Sequence, residues 1–194
     1  MQALQIISDE HQSLAAVLHA IRFMLKKIKA GQLKPDLELF QAMVHYLDAF
    51  AEKRHHPKED MLFARLGQRT NEGAEAIARL GEQHAAAPQR IAALERAVTD
   101  FVAAPSRTAD FVAAFQAYAE FYRAHMILEE TVVLPLVRLH LTHEEWIEVD
   151  RDFRIEMAIN SGKDGKAEDF SALFSRLVES APPPLGFGAH PYNT

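Results

Sequence analysis

Apolar residues recur three and four positions apart along four long stretches of the chain, the spacing that places them on one face of an α-helix. These stripes run from Ile7 to Ile28, from Leu37 to Leu66, from Ile77 to Phe101 and from Phe111 to Leu139. Gly31, Gly67 and Pro105 follow the first three stripes, where helix-ending residues are expected. Four long helices with short connections predict an all-α fold, an antiparallel up-down four-helix bundle.

The ends and interiors of these helices carry local indications of their own. Ser8 or Asp9 can cap the first helix and Thr108 the fourth, because short polar side chains accept hydrogen bonds from the free N–H groups of a first turn. Pro57 and Pro88 lie inside the second and third stripes, and each removes one backbone hydrogen bond. We expect a local bend at Pro57, unless the segment is two separate helices, and Pro88 is a second candidate for a kink.

The residues after the four stripes predict a smaller helical extension. Thr142 and Glu145 have the spacing of a capping box, so a fifth amphipathic helix should follow and end near Asn160. A sixth, short helix is expected at residues 168–180, and the Pro- and Gly-rich residues 181–194 should be irregular. We therefore divide the chain into a four-helix domain at residues 1–141, an extension at 142–180 that packs on the bundle or on a partner, and a tail.

Each apolar stripe is interrupted by polar residues of the same kind. The interrupting residues are His11 in the first stripe, His55 and Glu59 in the second, His84 in the third, and His125 and Glu129 in the fourth. At four residues apart on a helix, two side chains are rotated by only about 40° from one another, so each His/Glu pair can aim at one point. All six side chains should therefore project into the core of the bundle.

The six residues form a pattern that occurs twice. In each half, a helix with one inward His precedes a helix with His-x-x-x-Glu, and the two copies are offset by 73 residues for the single His and 70 for the pair. Together they supply four imidazoles and two carboxylates, a set that suits two Fe, Mn or Zn ions. A buried polar network without metal is the alternative, since a single core His is more often hydrogen-bonded than a ligand.

Composition narrows the classes of function. The formal charge of −6 and the scattered Lys and Arg residues argue against nucleic-acid binding. The chain has no Cys, which excludes disulfides, thiolate ligands and iron–sulfur clusters. No apolar run approaches the ~20 residues that span a bilayer, and the N-terminus acquires charge too early for a signal peptide. We therefore expect a cytoplasmic protein with no membrane partner.

The segments around the six residues resemble a known family. They are His55-His-Pro-Lys-Glu-Asp-Met-Leu-Phe63 and His125-Met-Ile-Leu-Glu-Glu130, with Glu10-His11 and Gln83-His84 upstream. Together they are similar to the hemerythrin-like, or HHE cation-binding, domain, and the resemblance covers about residues 1–141. It implies a non-haem centre of two iron ions, oxo- or hydroxo-bridged, with both glutamates bridging and with Zn or Mn as substitutes. The family uses such centres for dioxygen carriage, oxygen or iron sensing, nitric-oxide response or peroxide chemistry.

The chain departs from the oxygen-carrying members in its third helix, where those proteins have two histidines one turn apart. Here the positions four residues from His84 are Leu80 and Pro88, so a fifth histidine ligand is not evident. Fewer protein ligands leave more positions for a small molecule, which puts strict oxygen carriage in doubt. Candidates for a fifth ligand are His56, Glu52, Glu130 and a tyrosine.

Several residues close to the six candidates are less strongly indicated as parts of the metal site. On an α-helix His56 points about 100° away from His55, which favours a surface position or a place behind the ligands. Tyr118 and Tyr122 lie on an inward stripe and are interpreted as core aromatics, with donation to a bound ligand as the alternative. Charged residues that could orient the imidazoles are Glu10, Asp60, Glu82 and Glu130.

These observations favour a non-haem di-iron protein that binds or senses dioxygen, nitric oxide or iron itself, and not an enzyme with an organic substrate. One alternative is a di-iron redox enzyme that handles peroxide or nitric oxide, which the open coordination positions favour. Another is a metal-dependent interaction module whose residues 142–180 form a partner surface. The expected partners are accordingly a small diatomic ligand or peroxide and, through the C-terminal helices, a second copy of the chain.

Overall fold

The computed structural model describes residues 1–160 and 170–188, and most of these residues are helical. The α-helices are α1 (Gln2–Lys29), α2 (Leu37–Tyr46), α3 (His56–Arg69), α4 (Ala74–Ala103), α5 (Thr108–Leu128), α6 (Leu134–His140), α7 (His143–Asn160) and α8 (Phe170–Ser180). The described residues contain no strand, so the prediction of an all-α helical bundle is confirmed. The antiparallel up-down order of the helices stays a prediction. Within the described part, no helix is both long and apolar enough to cross a membrane.

Two of the predicted helices contain a segment with wider, π-helical winding. The first π segment (Leu47–His55) joins α2 to α3, and the second π segment (Glu129–Val133) joins α5 to α6. In both cases the N–H group that follows the segment bonds to the carbonyl five positions earlier. Such π turns are uncommon and occur often at functional sites.

Each π segment ends close to a proline. Pro57 and Pro135 occupy the first turn of α3 and of α6, where a missing N–H leaves no intrahelical bond unmade. The bend expected at Pro57 is therefore a change of winding that comes before the proline, and the sequence interpretation did not single out Pro135. At Pro88, α4 continues with α-helical winding.

The start of α1 differs from the prediction. The helix begins well ahead of the expected caps, Ser8 and Asp9. Ala3 extends the buried stripe from Ile7 toward the N-terminus, and both residues are fully buried. The N–H of Ala3 donates to Oδ1 of Asp150 in α7 at 2.8 Å. A carboxylate distant in sequence thus satisfies part of the first turn, which no local pattern could indicate.

Of the other predicted helix starts, the one at Thr142 agrees with the structure and the cap at Thr108 does not. The capping box is confirmed: the Thr142 N–H donates to the Glu145 carboxylate at 2.8 Å, and the Glu145 N–H donates to the Thr142 hydroxyl at 3.3 Å. Thr108 does not cap α5; it is already helical, and its hydroxyl donates to the carbonyl of Pro105 at 2.7 Å. The predicted start of the last helix at residue 168 and the end of the tail lie outside the described residues.

Two apolar clusters fill the bundle, one on each side of a polar layer that comprises the six predicted residues and His56. Along α1, Ile7 belongs to one cluster and Leu14 to the other, with His11 between them. The other three stripes are divided in the same way. The polar layer therefore lies between the two apolar clusters.

The extension helices complete these two cores. Trp146, Val149 and Phe153 of α7 join the cluster that contains Ile7, and Phe170, Leu173 and Leu177 of α8 join the cluster that contains Leu14. The ring of Phe170 also lies under the guanidinium of Arg54, 4.1 Å from its carbon, as in a cation–π contact. Both extension helices thus use their apolar faces on the chain's own bundle.

Candidate metal centre

The structure brings the six predicted residues together in the polar layer. The exposed fraction is 2% or less for five of them, and His84 is half-buried. Side chains that can carry a charge are seldom removed from water unless they are paired or bind a metal ion. Their burial therefore needs a chemical explanation.

The atoms that could bind a metal ion form two groups. The first ligand group comprises His11, His55 and Glu59, and the second comprises His56, Glu59, His84 and His125. Within each group, one potential ligand atom per residue lies within 4.8 Å of all the others. Two donors that each stand about 2.0–2.2 Å from one ion are separated by roughly 3–4 Å, so each group is close to the size of a single-ion site.

His56 is the fifth imidazole of the layer; the surface position favoured for it was wrong, and its alternative place among the candidates for a fifth ligand agrees with the structure. It is only 5% exposed, and its ring stacks on that of His84 with 4.2 Å between the centroids. The prediction assumed α-helical winding through His55. Because the first π segment has more residues per turn, it changes the direction in which His56 points.

The carboxylate of Glu59 faces both ligand groups. Its Oε1 lies 2.9 Å from Nε2 of His55 and 3.1 Å from Nε2 of His11. Its Oε2 lies 3.5 Å from Nε2 of His84 and 3.8 Å from Nε2 of His125. One oxygen of Glu59 is thus turned to each group.

Glu129 repeats this arrangement from the opposite half of the chain. Its Oε2 lies 3.3 Å from Nε2 of His11, in the first group. Its Oε1 lies 3.1 Å from Nε2 of His125 and 4.0 Å from Nε2 of His84, in the second group. Both buried carboxylates therefore span the space between the two sets of imidazoles.

Several polar atoms of the layer lie near one another but not in the geometry of a hydrogen bond with any described residue. They are Nε2 of His55, Nε2 of His56, Oε2 of Glu59 and both carboxylate oxygens of Glu129. A buried polar atom left unpaired costs about 1–3 kcal/mol. Ligand atoms that converge without hydrogen bonds to one another fit bound cations.

The comparison with known families agrees with this geometry. The model of the hemerythrin HHE cation binding domain matches residues 2–137. The chain belongs to this family. The match extends from α1 into α6, so the whole polar layer of the HHE domain lies within it. No significant similarity to a curated protein or to a solved structure was found.

Every imidazole of the HHE domain's polar layer turns Nδ1 toward an oxygen outside the layer. The pairs are His11 with Glu130 at 2.9 Å, His55 with Glu10 at 2.7 Å, His56 with Glu52 at 3.2 Å, His84 with Asp60 at 2.7 Å and His125 with Gln83 at 3.0 Å. An oxygen acceptor keeps the proton on Nδ1, which leaves Nε2 for an inner cation. All five imidazoles thus offer the same nitrogen to the centre of the HHE domain.

The predicted orienting residues of the HHE domain are mostly correct. Glu10, Asp60 and Glu130 each accept from an imidazole, whereas Glu82 is exposed and its neighbour Gln83 takes the role. Glu52 was named only as a candidate fifth ligand and not as an orienting residue; its spacing of four residues from His56 was the available indication. It also accepts a hydrogen bond from the hydroxyl of Tyr118 at 3.2 Å.

The carboxylates set the protonation of the imidazoles in the metal-free HHE domain. Burial by itself lowers the pKa of His11, but Glu129 and Glu59 outweigh this effect and raise the pKa to about 10. The same opposition raises the pKa of His125 to about 9. Burial lowers the pKa of His56, which favours the neutral form that metals bind. At neutral pH, protons therefore occupy part of the site that a metal ion would take.

Proposed function

We propose that this HHE domain holds a pair of iron ions and uses them to bind or sense dioxygen, nitric oxide or iron itself. The observation that carries the proposal is the position of the two buried carboxylates. Glu59 and Glu129 each turn one oxygen to the first ligand group and the other to the second. Because a carboxylate can bridge two neighbouring ions, this arrangement supports two ions in one centre.

The choice of iron rests on the donor set and on the family. Imidazole and carboxylate ligands suit Fe, Mn and Zn, and the chain offers no sulfur for softer metals. A structural zinc site takes one ion with four ligands, whereas here two carboxylates are shared between two groups. The likeness to hemerythrin-like proteins then favours iron over manganese.

The two ions would differ in their protein ligands. His11 and His55 would serve the first ion, His56, His84 and His125 the second, and both glutamates would be shared. The first ion would therefore have fewer imidazole ligands than the second. Burial of the polar layer between two apolar clusters keeps bulk water away and suits a ligand of a few atoms.

Metal analysis of anaerobically purified protein tests the proposal, with optical spectra before and after exposure to air. We expect two irons per chain after reconstitution with Fe(II), and a change in the spectrum on oxidation. A double variant, His55→Ala/His125→Ala, removes one imidazole from each group and should lose most of the iron. His19→Ala, an exposed histidine of α1, should keep the full amount. Near-zero iron in the wild type, or full retention in the double variant, contradicts the proposal.

Binding and turnover can be separated with the iron-loaded protein. A binding or sensing protein should give a stoichiometric spectral change with nitric oxide and then stop. Continued consumption of hydrogen peroxide or nitric oxide would instead favour a redox enzyme.

A further inference from the structure

The hydroxyl of Tyr122 is a buried polar group without a partner among the described residues. The side chain is 0% exposed, and its oxygen makes no hydrogen bond. An unpaired buried hydroxyl destabilises a fold, whereas a phenylalanine in the same space would not carry that cost. The oxygen therefore needs an explanation beyond core packing.

Tyr122 lies at the edge of the polar layer, on α5. Its ring centroid is 5.7 Å from that of His125 and 5.9 Å from that of His56. Burial raises the pKa of its phenol well above the ordinary value, and the charges of Glu59 and Glu129 add to this effect. Tyr122 therefore borders the second ligand group.

The other buried tyrosines are different in this respect. The hydroxyl of Tyr118 donates to Glu52 at 3.2 Å. Tyr46, which is 2% exposed, has the hydroxyl of Ser13 as a hydrogen-bonding neighbour. Among the described residues, these two phenols thus have hydrogen-bonding neighbours, and the phenol beside the candidate metal centre has none.

We propose that Tyr122 donates a hydrogen bond to the small external ligand taken up by the metal centre, and so favours ligands that are anionic or accept hydrogen bonds. This inference rests on the proposed function, because it needs a ligand in the polar layer. A phenol is protonated at neutral pH and is a good donor to a small anion. Azide is a suitable probe, since it is small, anionic and a hydrogen-bond acceptor.

The experiment compares two substitutions that each remove one buried oxygen, Tyr122→Phe and the matched control Tyr46→Phe. Azide is titrated into the oxidised, iron-loaded proteins and followed by the optical change. We expect roughly tenfold weaker azide binding for Tyr122→Phe, with wild-type iron content, because a hydrogen bond to a charged group contributes about that factor. Tyr46→Phe should bind azide as the wild type does.

Urea unfolding of the metal-free proteins provides a second readout. The midpoint of Tyr46→Phe should fall because a satisfied hydrogen bond is lost, and that of Tyr122→Phe should stay or rise. A full iron load with unchanged azide affinity in Tyr122→Phe overturns the inference, as does a fall of its midpoint like that of the control. Both outcomes leave the proposed function intact, whereas a wild-type protein that holds no iron overturns both.

Discussion

Glu10 joins a candidate ligand to a buried lysine. Its carboxylate accepts from Nδ1 of His55 at 2.7 Å and pairs with Lys58, whose side chain is only 3% exposed. The Lys58 ammonium also lies 5.9 Å from the centre of the Phe50 ring. A lysine this deeply buried requires a partner, so one carboxylate orients an imidazole and neutralises a buried charge.

Replacing Glu10 with Ala should therefore weaken iron binding. Loss of such an orienting group lowers metal affinity by about 10- to 100-fold. Competition with a chelator measures the change. Glu82→Ala is the control, because Glu82 also lies close to a candidate ligand in sequence but is exposed. Equal affinities for the two variants would show that the contact with His55 does not matter.

The raised pKa of His11 predicts a pH dependence of stability that only the metal-free protein should have. A group whose pKa rises on folding stabilises the fold fully below its unfolded value, here about 6.5, and this contribution is lost as the pH rises through about 10. We expect the urea midpoint of the metal-free protein to fall across this interval. The iron-loaded protein should not show this fall, because the ion replaces the proton.

Urea midpoints near pH 6.5 and near pH 10, with chelator or with bound iron, check this prediction. A parallel fall in both forms would assign the pH dependence to other groups. The quantity to compare between the two forms is the change in urea midpoint from the lower pH to the higher one.

At the scale of single residues, the sequence predicts most of the candidate site. The six residues could be found because each occupies a gap in an apolar stripe, a property that needs only helical periodicity. His56 was only one of several candidates for a fifth ligand, because its direction depends on a change of winding. Gln83 was missed because an amide between two charged neighbours gives no indication of its own.

Among the elements, the first π segment decides which side chains of the second predicted helix reach the polar layer. Upstream residues such as Ala51 pack in one apolar cluster, and downstream residues such as Leu62 pack in the other. The wider winding of the π segment sets the rotation between these two halves.

Deleting Lys53 from the first π segment should therefore abolish iron binding while leaving the protein helical. The deletion rotates the residues on one side of the segment relative to the other, so the two apolar faces and the ligands cannot all point inward. Lys53→Ala is the control, since it removes the exposed ammonium and its pairing with Asp48 but keeps the chain length. Iron content and far-ultraviolet circular dichroism are the measurements. A deletion variant with a full iron load would show that the winding is not required.

The sequence could not predict this winding. Stripes with three-four spacing continue on both sides of Pro57, and a single inserted residue is indistinguishable from a small shift of the stripe. The proline indicated a local departure from regular helix but not its kind. Helix ends could be predicted where neighbouring residues determine them, as the capping box at Thr142 shows. The start of α1 was predicted wrongly because the residue that satisfies its first turn, Asp150, is distant in sequence.

On the scale of the whole molecule, α7 joins the extension to α1 and to α3 of the bundle. Asp150 accepts from the N–H of Ala3 in α1. Arg65 of α3 donates to Glu148 at 3.0 Å and to Asp152 at 2.9 Å. The extension is therefore part of the same folded unit as the helices that carry the ligands. A dimer through the C-terminal helices stays a prediction, and sedimentation with and without iron tests it.

Asp150→Ala should lower the free energy of unfolding by about 1 kcal/mol, the usual size of a lost helix N-cap. The bond to Ala3 is partly buried, which supports a loss of this size. Urea unfolding measures it, and Arg154→Ala, an exposed residue of α7, should change the free energy little. An Asp150→Ala variant as stable as the control would show that α1 does not depend on this contact.

The contact between Asp150 and Ala3 also constrains the order of events during synthesis. All seven side chains of the polar layer, from His11 to Glu129, are made by the ribosome before Asp150. The N–H group of Ala3 in the first turn of α1 nevertheless has no acceptor from α7 until Asp150 has emerged. A nascent chain long enough to contain every candidate ligand should therefore still hold the helix of His11 less firmly than the released protein does.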